Sequence, residues 1–130
     1  MIKTTELRVG NWVLAGWYKE PLLPLCIRAV DLDSMDSGDY SGWNNEPISI
    51  TPSILQSAGF KFSPCRISGA DMWQGMAMWS KGDFVLRGNV STAGGGTLHL
   101  AGYFNTQIQY LHELQNLYYA IMREELEINL

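Results

Sequence analysis

Apolar and polar residues follow two periods along this chain, and the period changes at recognisable stops. From Thr106 to Leu126 the apolar positions recur every three or four residues. At about 100° per residue, Tyr110, Leu111, Leu114, Leu117, Tyr118, Ile121 and Met122 share a sector roughly 140° wide, which predicts an amphipathic helix suited to covering a sheet. Thr106 and Gln109 have capping-box spacing, and neither Gly nor Pro occurs from Thr106 to Leu130. Such a helix is about 30 Å long at about 1.5 Å per residue. His112, Glu113, Asn116, Tyr119, Arg123, Glu124 and Glu127 take its opposite, solvent side. Gln115 falls at the edge of the apolar stripe, where a buried amide requires partners.

Elsewhere the pattern shortens to strands and turns. Glu6 to Ala15 reads as a strand interrupted at Gly10-Asn11, two residues that tolerate a turn or bulge. Gly16 to Pro24 is a loop, because Pro21 and Pro24 argue against helix. The β-rich Leu25 to Leu32 predicts a second strand, Asp33 to Ser41 a polar hairpin connection, and Ile48 to Ile50 a short strand. Thr51 to Gly59 carries the marks of a short helix: Thr51 as N-cap, Pro52 at the first helical position and Gly59 as the stop. Phe60 to Ser63 is extended, and Arg66 to Asp71 is ambiguous. Gln74 to Gly88 reads as a hairpin around Lys81-Gly82. Asn89 to Gly96 is a flexible link, and Thr97 to Phe104 a last strand. The expected fold is α+β: a strongly bent antiparallel sheet, of which an SH3-like partial barrel is one form, with one short helix and a long C-terminal helix packed on it. Residues 1–130 form a single domain in this reading.

Composition narrows the function classes. With 46% hydrophobic and 17% charged residues among 130, the chain is globular in character. Nine basic and 13 acidic side chains give a net charge of −4, which argues against a nucleic-acid surface, since phosphate neutralisation needs clustered Lys and Arg. The N-terminal residues lack the apolar run of a signal peptide, and no run reaches the roughly 18 residues of a membrane span. A cytoplasmic protein without membrane contact is the expectation. Cys26 and Cys65 are too few for a disulfide framework; they are free buried thiols or a single bond.

No motif points to catalysis. Asp31, Asp33, Asp36 and Asp39 are dense in acid, but a calcium loop wants Gly at its sixth position and Glu at its twelfth, where counting from Asp31 finds Asp36 and Gly42. A solvated acidic turn is the simpler reading. Gly94-Gly95-Gly96 lacks the Lys-Ser or Lys-Thr and the following helix of a phosphate loop. His99 and His112 have no ligand at metal spacing, and no local sequence couples either to a cysteine nucleophile. No cofactor, metal or catalytic residue is therefore expected. Candidate interaction residues remain. Trp17, Trp43 and Trp73 fall in predicted loops, as interface anchors or as lids over a small core. His112, Asn116, Tyr119 and Arg123 line a stripe about 60° wide on the polar side of the helix.

Three stretches also resemble a known family. Glu6 to Val13 (ELRVGNWV), Glu46 to Phe60 (EPISITPSILQSAGF) and Tyr110 to Leu126 (YLHELQNLYYAIMREEL) are similar, in this order, to segments of small uncharacterised proteins encoded by Bacteroidetes and by their phages and mobile elements. They cover about a third of the chain. Met122-Arg123 stands where that family has a Thr-Gly-like pair, so the helix is expected to run further here. The resemblance implies a source and a shared fold, without an activity, cofactor or catalytic residue. The reading that follows is a non-enzymatic binding or interaction protein with a protein partner, such as a phage- or mobile-element-derived accessory factor. Alternatives are a small enzyme or ligand-binding domain with a tryptophan-lined pocket, and a structural subunit of a homo-oligomer.

Overall fold

In place of one bent sheet, the chain folds as α+β with two open antiparallel sheets, seen in a computed structural model that describes residues 1–64 and 76–130. Cys65, Trp73, the ambiguous Arg66 to Asp71 and the first residues of the Gln74 hairpin lie outside the described residues. Along the chain, the helix Pro52–Ser57 separates the strands of the first sheet from those of the second.

The first sheet has β1 (Trp12–Trp17) at its centre, flanked by β2 (Leu23–Cys26) and β3 (Trp43–Glu46). The strand expected from Glu6 begins only at Trp12. A 3-10 turn occupies Thr4–Glu6, and a tight turn follows in which the Asn11 side chain accepts from Arg8 N (2.7 Å) and Asn11 N donates to Arg8 O (3.0 Å). The strand predicted over Leu25 to Leu32 and the hairpin connection over Asp33 to Ser41 are both corrected. The chain leaves the sheet after Cys26 and forms α1 (Ala29–Ser37). Asp31 starts this helix: its carboxylate accepts the Arg28 backbone N–H (2.9 Å), while Arg28's guanidinium grips the same carboxylate (3.1 Å). Gly38 ends the helix in the left-handed region (φ 80°), which glycine enters without a Cβ penalty. Leu32 and Met35, three apart, pack against the core of this half, formed by Ile2, Leu7, Val13, Ala15, Ile27 and Trp43.

Beyond Pro47, Ile48 and Ile50 are buried, and Ser49 makes an isolated bridge to Tyr110. α2 (Pro52–Ser57) forms where its local signals place it, with the Thr51 hydroxyl accepting from Ile54 N (3.2 Å). The second sheet is a five-stranded meander of β4 (Lys61–Ser63), β5 (Met78–Lys81), β6 (Phe84–Val90), β7 (Gly96–Leu100) and β8 (Tyr103–Ile108). The Lys81-Gly82 hairpin is present as β5–β6. The strand predicted over Thr97 to Phe104 is instead split by a turn at Ala101-Gly102 into β7 and β8. β6 and β7 come so close that a Cβ on Gly88 would sit 2.3 Å from Thr97 O, and one on Gly96 2.3 Å from Asn89 O. The Gly94–Gly96 run is therefore part of a tight hairpin, with Ser91 N bonded to Gly95 O (3.2 Å).

α3 (Leu111–Met122) is shorter than the pattern predicts, because Thr106 and Gln107 belong to β8, where Gln107 pairs with His99. The Thr106–Gln109 capping box is thus replaced by Glu113, whose carboxylate accepts from Tyr110 N (3.0 Å) and Gln109 N (3.2 Å). Nor does the helix run on through Met122-Arg123. Arg123 takes a left-handed conformation (φ 57°) and its N–H closes onto Tyr119 O (2.9 Å). The chain then folds back, placing Leu126 in the larger core with Leu55, Phe60, Trp79, Phe84, Leu86, Leu98, Leu114 and Tyr118. Ile121, assigned to the apolar stripe, is 47% exposed. No described helix is long and apolar enough to cross a membrane.

Candidate functional site

Two surfaces gather the residues singled out from the sequence. The first is the polar side of α3, of which Gln115 and Asn116 meet the segment leading into β1 while Tyr119 and Arg123 stay exposed. Gln115, nearly fully buried, accepts from Trp12 N (2.8 Å) and donates to Gly10 O (2.9 Å). Asn116 accepts from Asn11 Nδ2 (2.9 Å) and Arg8 Nε (3.2 Å) and donates to Glu6 O (3.0 Å). Arg8 also donates to Gln115 O, pairs with Glu125, and lies over the Tyr119 ring at 4.4 Å. The stripe of His112, Asn116, Tyr119 and Arg123 therefore does not act as one free face. Asn116 and Tyr119 are joined to the N-terminal segment. Arg123 caps the helix. His112 is almost wholly buried and its Nδ1 has no hydrogen-bond partner. Burial pushes its pKa below the ordinary imidazole value, against the pull of Glu113 and Glu6. The segment 8–12 and the helix segment 111–119 thus bind each other.

The second surface is at the far end of the first sheet. Trp17 of β1 and Trp43 of β3 are cross-strand partners. Tyr40 lies against both, with ring centroids 5.3 Å from Trp17 and 5.1 Å from Trp43. The structure thus brings two of the three candidate tryptophans together, but unequally. Trp43, assigned to a loop, is a strand residue buried in the small core, whereas Trp17 is 45% and its neighbour Tyr18 70% exposed. Beside them runs a groove of about 380 Å³ lined by Trp17, Tyr40, Trp43, Arg28, Asp31 and the Pro21–Pro24 segment. Its floor is polar. Asp31, inaccessible to solvent, accepts from the Tyr40 hydroxyl (2.8 Å) and from Arg28. The Arg28 hydrogen bond holds the Asp31 carboxyl below its usual range, over the opposing effect of burial. Tyr40's own hydrogen bond to Asp31 raises the pKa of its phenol.

Arg28, Asp31 and Tyr40 were missed as site residues. The signal available was the i,i+3 spacing of Arg28 and Asp31, hidden because the acidic run resembled a solvated turn. Cys26 is a half-buried free thiol among the described residues, its pKa raised chiefly by burial. Among the described residues no three His, Cys, Asp or Glu side chains are placed to hold a metal ion. Comparisons with family models, curated proteins and solved structures found no match to this chain.

Proposed function

We propose that the chain is a non-catalytic binding protein that engages a protein partner through the aromatic end of its three-stranded sheet, as an accessory factor carried by a phage or mobile element of the Bacteroidetes. The observation that carries this reading is the Trp17–Tyr40–Trp43 cluster, its rings packed at inclined and edge-on angles, beside which Trp17, Tyr18 and Leu23 are exposed to solvent. Aromatic side chains bury large areas for little lost side-chain freedom, and anchors of this kind dominate binding energy when a rigid scaffold holds them. Arg28, with its side chain 67% exposed, supplies the polar rim typical of such surfaces.

Trp17→Ala and Tyr18→Ala test the proposal, because both residues are exposed enough to be removed without opening the core. A partner captured from a Bacteroidetes host by the wild type should be retained by a Tyr103→Ala control, whose site is equally exposed on the other sheet, and lost by the double variant. Equal retention by all three proteins would refute it. Trp43→Ala is the poorer test, since it removes a core side chain. A second reading, a small-ligand pocket, draws on the size of the groove, which falls within the range of roughly 300–1,000 Å³ common for such sites. Quenching of Trp17 fluorescence by a small aromatic compound, unchanged when the protein partner is added, would favour it.

A further inference from the structure

The groove at the aromatic end of the first sheet offers ring faces and hydrogen-bond donors, while the acceptors on its floor are taken. Trp17 is 45% exposed. Its indole N–H, a group that only donates, has no partner among the described residues. Arg28 turns Nε and Nη2 to the Asp31 carboxylate (both 3.1 Å) and keeps Nη1 uncommitted among the described residues. The Asp31 oxygens are filled by these bonds, by Arg28 N and by the Tyr40 hydroxyl. Tyr40 thereby spends its only proton inward, and its ring stands between Trp17 and Trp43, inclined 60° to each. The other lining carboxylate, Glu20, is exposed in the loop between β1 and β2 and has no side-chain partner among the described residues.

The outer strand of this sheet narrows what can dock. β2 carries Pro24, which has no N–H to donate, and proline in an edge strand opposes the addition of another strand. A partner chain is thus not drawn into the ladder at this edge, and meets the rings instead. Rings flanked by free donors fit a segment rich in carbonyls and poor in N–H groups. Proline supplies this chemistry: it lacks the N–H, its ring is apolar, and in the polyproline II conformation its carbonyls make no internal hydrogen bonds. Such a segment is already extended before it docks on an aromatic-lined groove, so little freedom is lost. Glu20 adds a charge requirement. Arg28 is already paired with Asp31, so the unmatched charge of the groove is negative and calls for a basic side chain beside the prolines.

We propose, on the reading of this aromatic end as a protein-binding face, that the groove takes a proline-rich segment of the partner in the polyproline II conformation. Its carbonyls accept from the Trp17 indole N–H and from Arg28 Nη1, and a flanking Arg or Lys pairs with Glu20.

The probe is acetyl-Arg-Pro-Pro-Leu-Pro-Pro-Arg-amide, basic at both ends so that either chain direction is served. On its addition to the full chain, the Trp17 indole Hε1 resonance, assigned through Trp17→Phe, should move saturably. Affinities are read by fluorescence anisotropy of a labelled copy. Alanine in place of every proline keeps the charge but restores N–H groups and flexibility, and should weaken binding about tenfold. Trp17→Phe keeps a ring and removes the N–H, and should weaken binding about fivefold. Glu20→Lys should weaken it about tenfold at low salt, and Tyr103→Ala, on the other sheet, should bind as the wild type does. Circular dichroism confirms that each variant keeps its fold. An unmoved Trp17 signal, equal affinity for the alanine peptide, or unchanged affinity in Glu20→Lys overturns the proposal. The two readings of this face fail separately. A captured partner that is lost by the Trp17→Ala, Tyr18→Ala double variant, yet stays bound in excess proline peptide, leaves the protein-binding face standing and overturns the proline assignment. Saturable peptide binding at Trp17, with the captured partner retained by the double variant, does the reverse.

Discussion

The larger half of the molecule is held by a continuous apolar core, in which Leu55, Phe60, Trp79, Phe84, Leu86, Leu98, Leu114 and Tyr118 interlock. The smaller half buries Ile2, Leu7, Val13, Ala15, Ile27 and Trp43 among the described residues, with Leu25, Leu32, Met35 and Tyr40 partly buried against them, and places Asn11, Asp31 and Asn45 in its interior. Its attachment to the rest differs in kind as well. α3 presents its apolar stripe to the five-stranded sheet, and presents Gln115 and Asn116 to the turn before β1. Hydrophobic burial is tolerant of sliding, whereas an amide that must meet both an N–H and a C=O fixes one position. The small half is thereby set in register on the large one, and with it the Trp17 surface.

The most severe way to challenge this contrast is Leu114→Ala. Leu114 is fully buried in the large core, and its truncation should cost about 2–5 kcal/mol, measured by urea denaturation. Both halves should unfold in one transition. A separate, unshifted transition for the small half would show that the polar seam does not couple them.

Gln115→Leu attacks the seam itself. It preserves bulk but leaves Trp12 N–H and Gly10 C=O without partners, at a cost of about 2–3 kcal/mol. Because the damage lies on the small side, hydrogen exchange at β1 amides should accelerate about thirtyfold, as a change of about 2 kcal/mol in opening implies. Leu98 and Leu86, in the other sheet, should change less. Uniform acceleration across both sheets would mean that the two halves are one cooperative unit without internal contrast.

The same contrast explains what was legible in the sequence. α2 and the β5–β6 hairpin were readable because their determinants are adjacent: Thr51 with Pro52, and Lys81 with Gly82. α1 was not, since the β-branched Ile27 and Val30 suggested a strand, while the helix depends on Asp31 meeting both Arg28 and Tyr40, nine residues on. The start of α3 failed for a similar reason: a plausible local cap at Thr106 lost to pairing of β8 with β7. Gln115 was recognised as needing partners, yet those partners lie more than a hundred residues away. His112, Asn116 and Tyr119 were assigned to solvent because they are polar, although a polar face packs well against a complementary polar turn. Trp43 was assigned to a loop because the strand around it, with Asn44, Asn45 and Glu46, has little β-propensity; its cross-strand pairing with Trp17 is a tertiary fact.

Asp31→Asn probes the polar interior of the small half by pH. The folded-state pKa of Asp31 is lowered, chiefly by its hydrogen bond to Arg28. The native state therefore binds this proton less readily than the unfolded chain. The stability Asp31 contributes is present above its unfolded pKa of about 3.9 and is lost as pH falls through the lower folded value. Because the Arg28 side chain is largely exposed, solvent screens the ion pair, and the hydrogen bonds remain as the main contribution. The variant should be less stable by about 1–2 kcal/mol at pH 7, with the difference shrinking below about pH 4. Thermal melts of both proteins across that range provide the check; a difference independent of pH would assign the loss to packing.

Arg123→Gly has the smallest expected effect and the opposite sign. Arg123 holds the left-handed conformation that ends α3 (φ 57°), a region that costs an L-residue energy and glycine almost none. The gain is offset in part by glycine's greater freedom in the unfolded chain, leaving a net stabilisation of about 0.5–1 kcal/mol. The exposed Arg123 side chain is not a partner in the hydrogen bonds that join α3 to Arg8 and Trp12, so exchange at β1 should be unchanged. A higher melting temperature with an undisturbed small sheet would show that this position acts through its backbone. A lower one would mean that the guanidinium does stabilising work which the helix-end geometry alone does not explain.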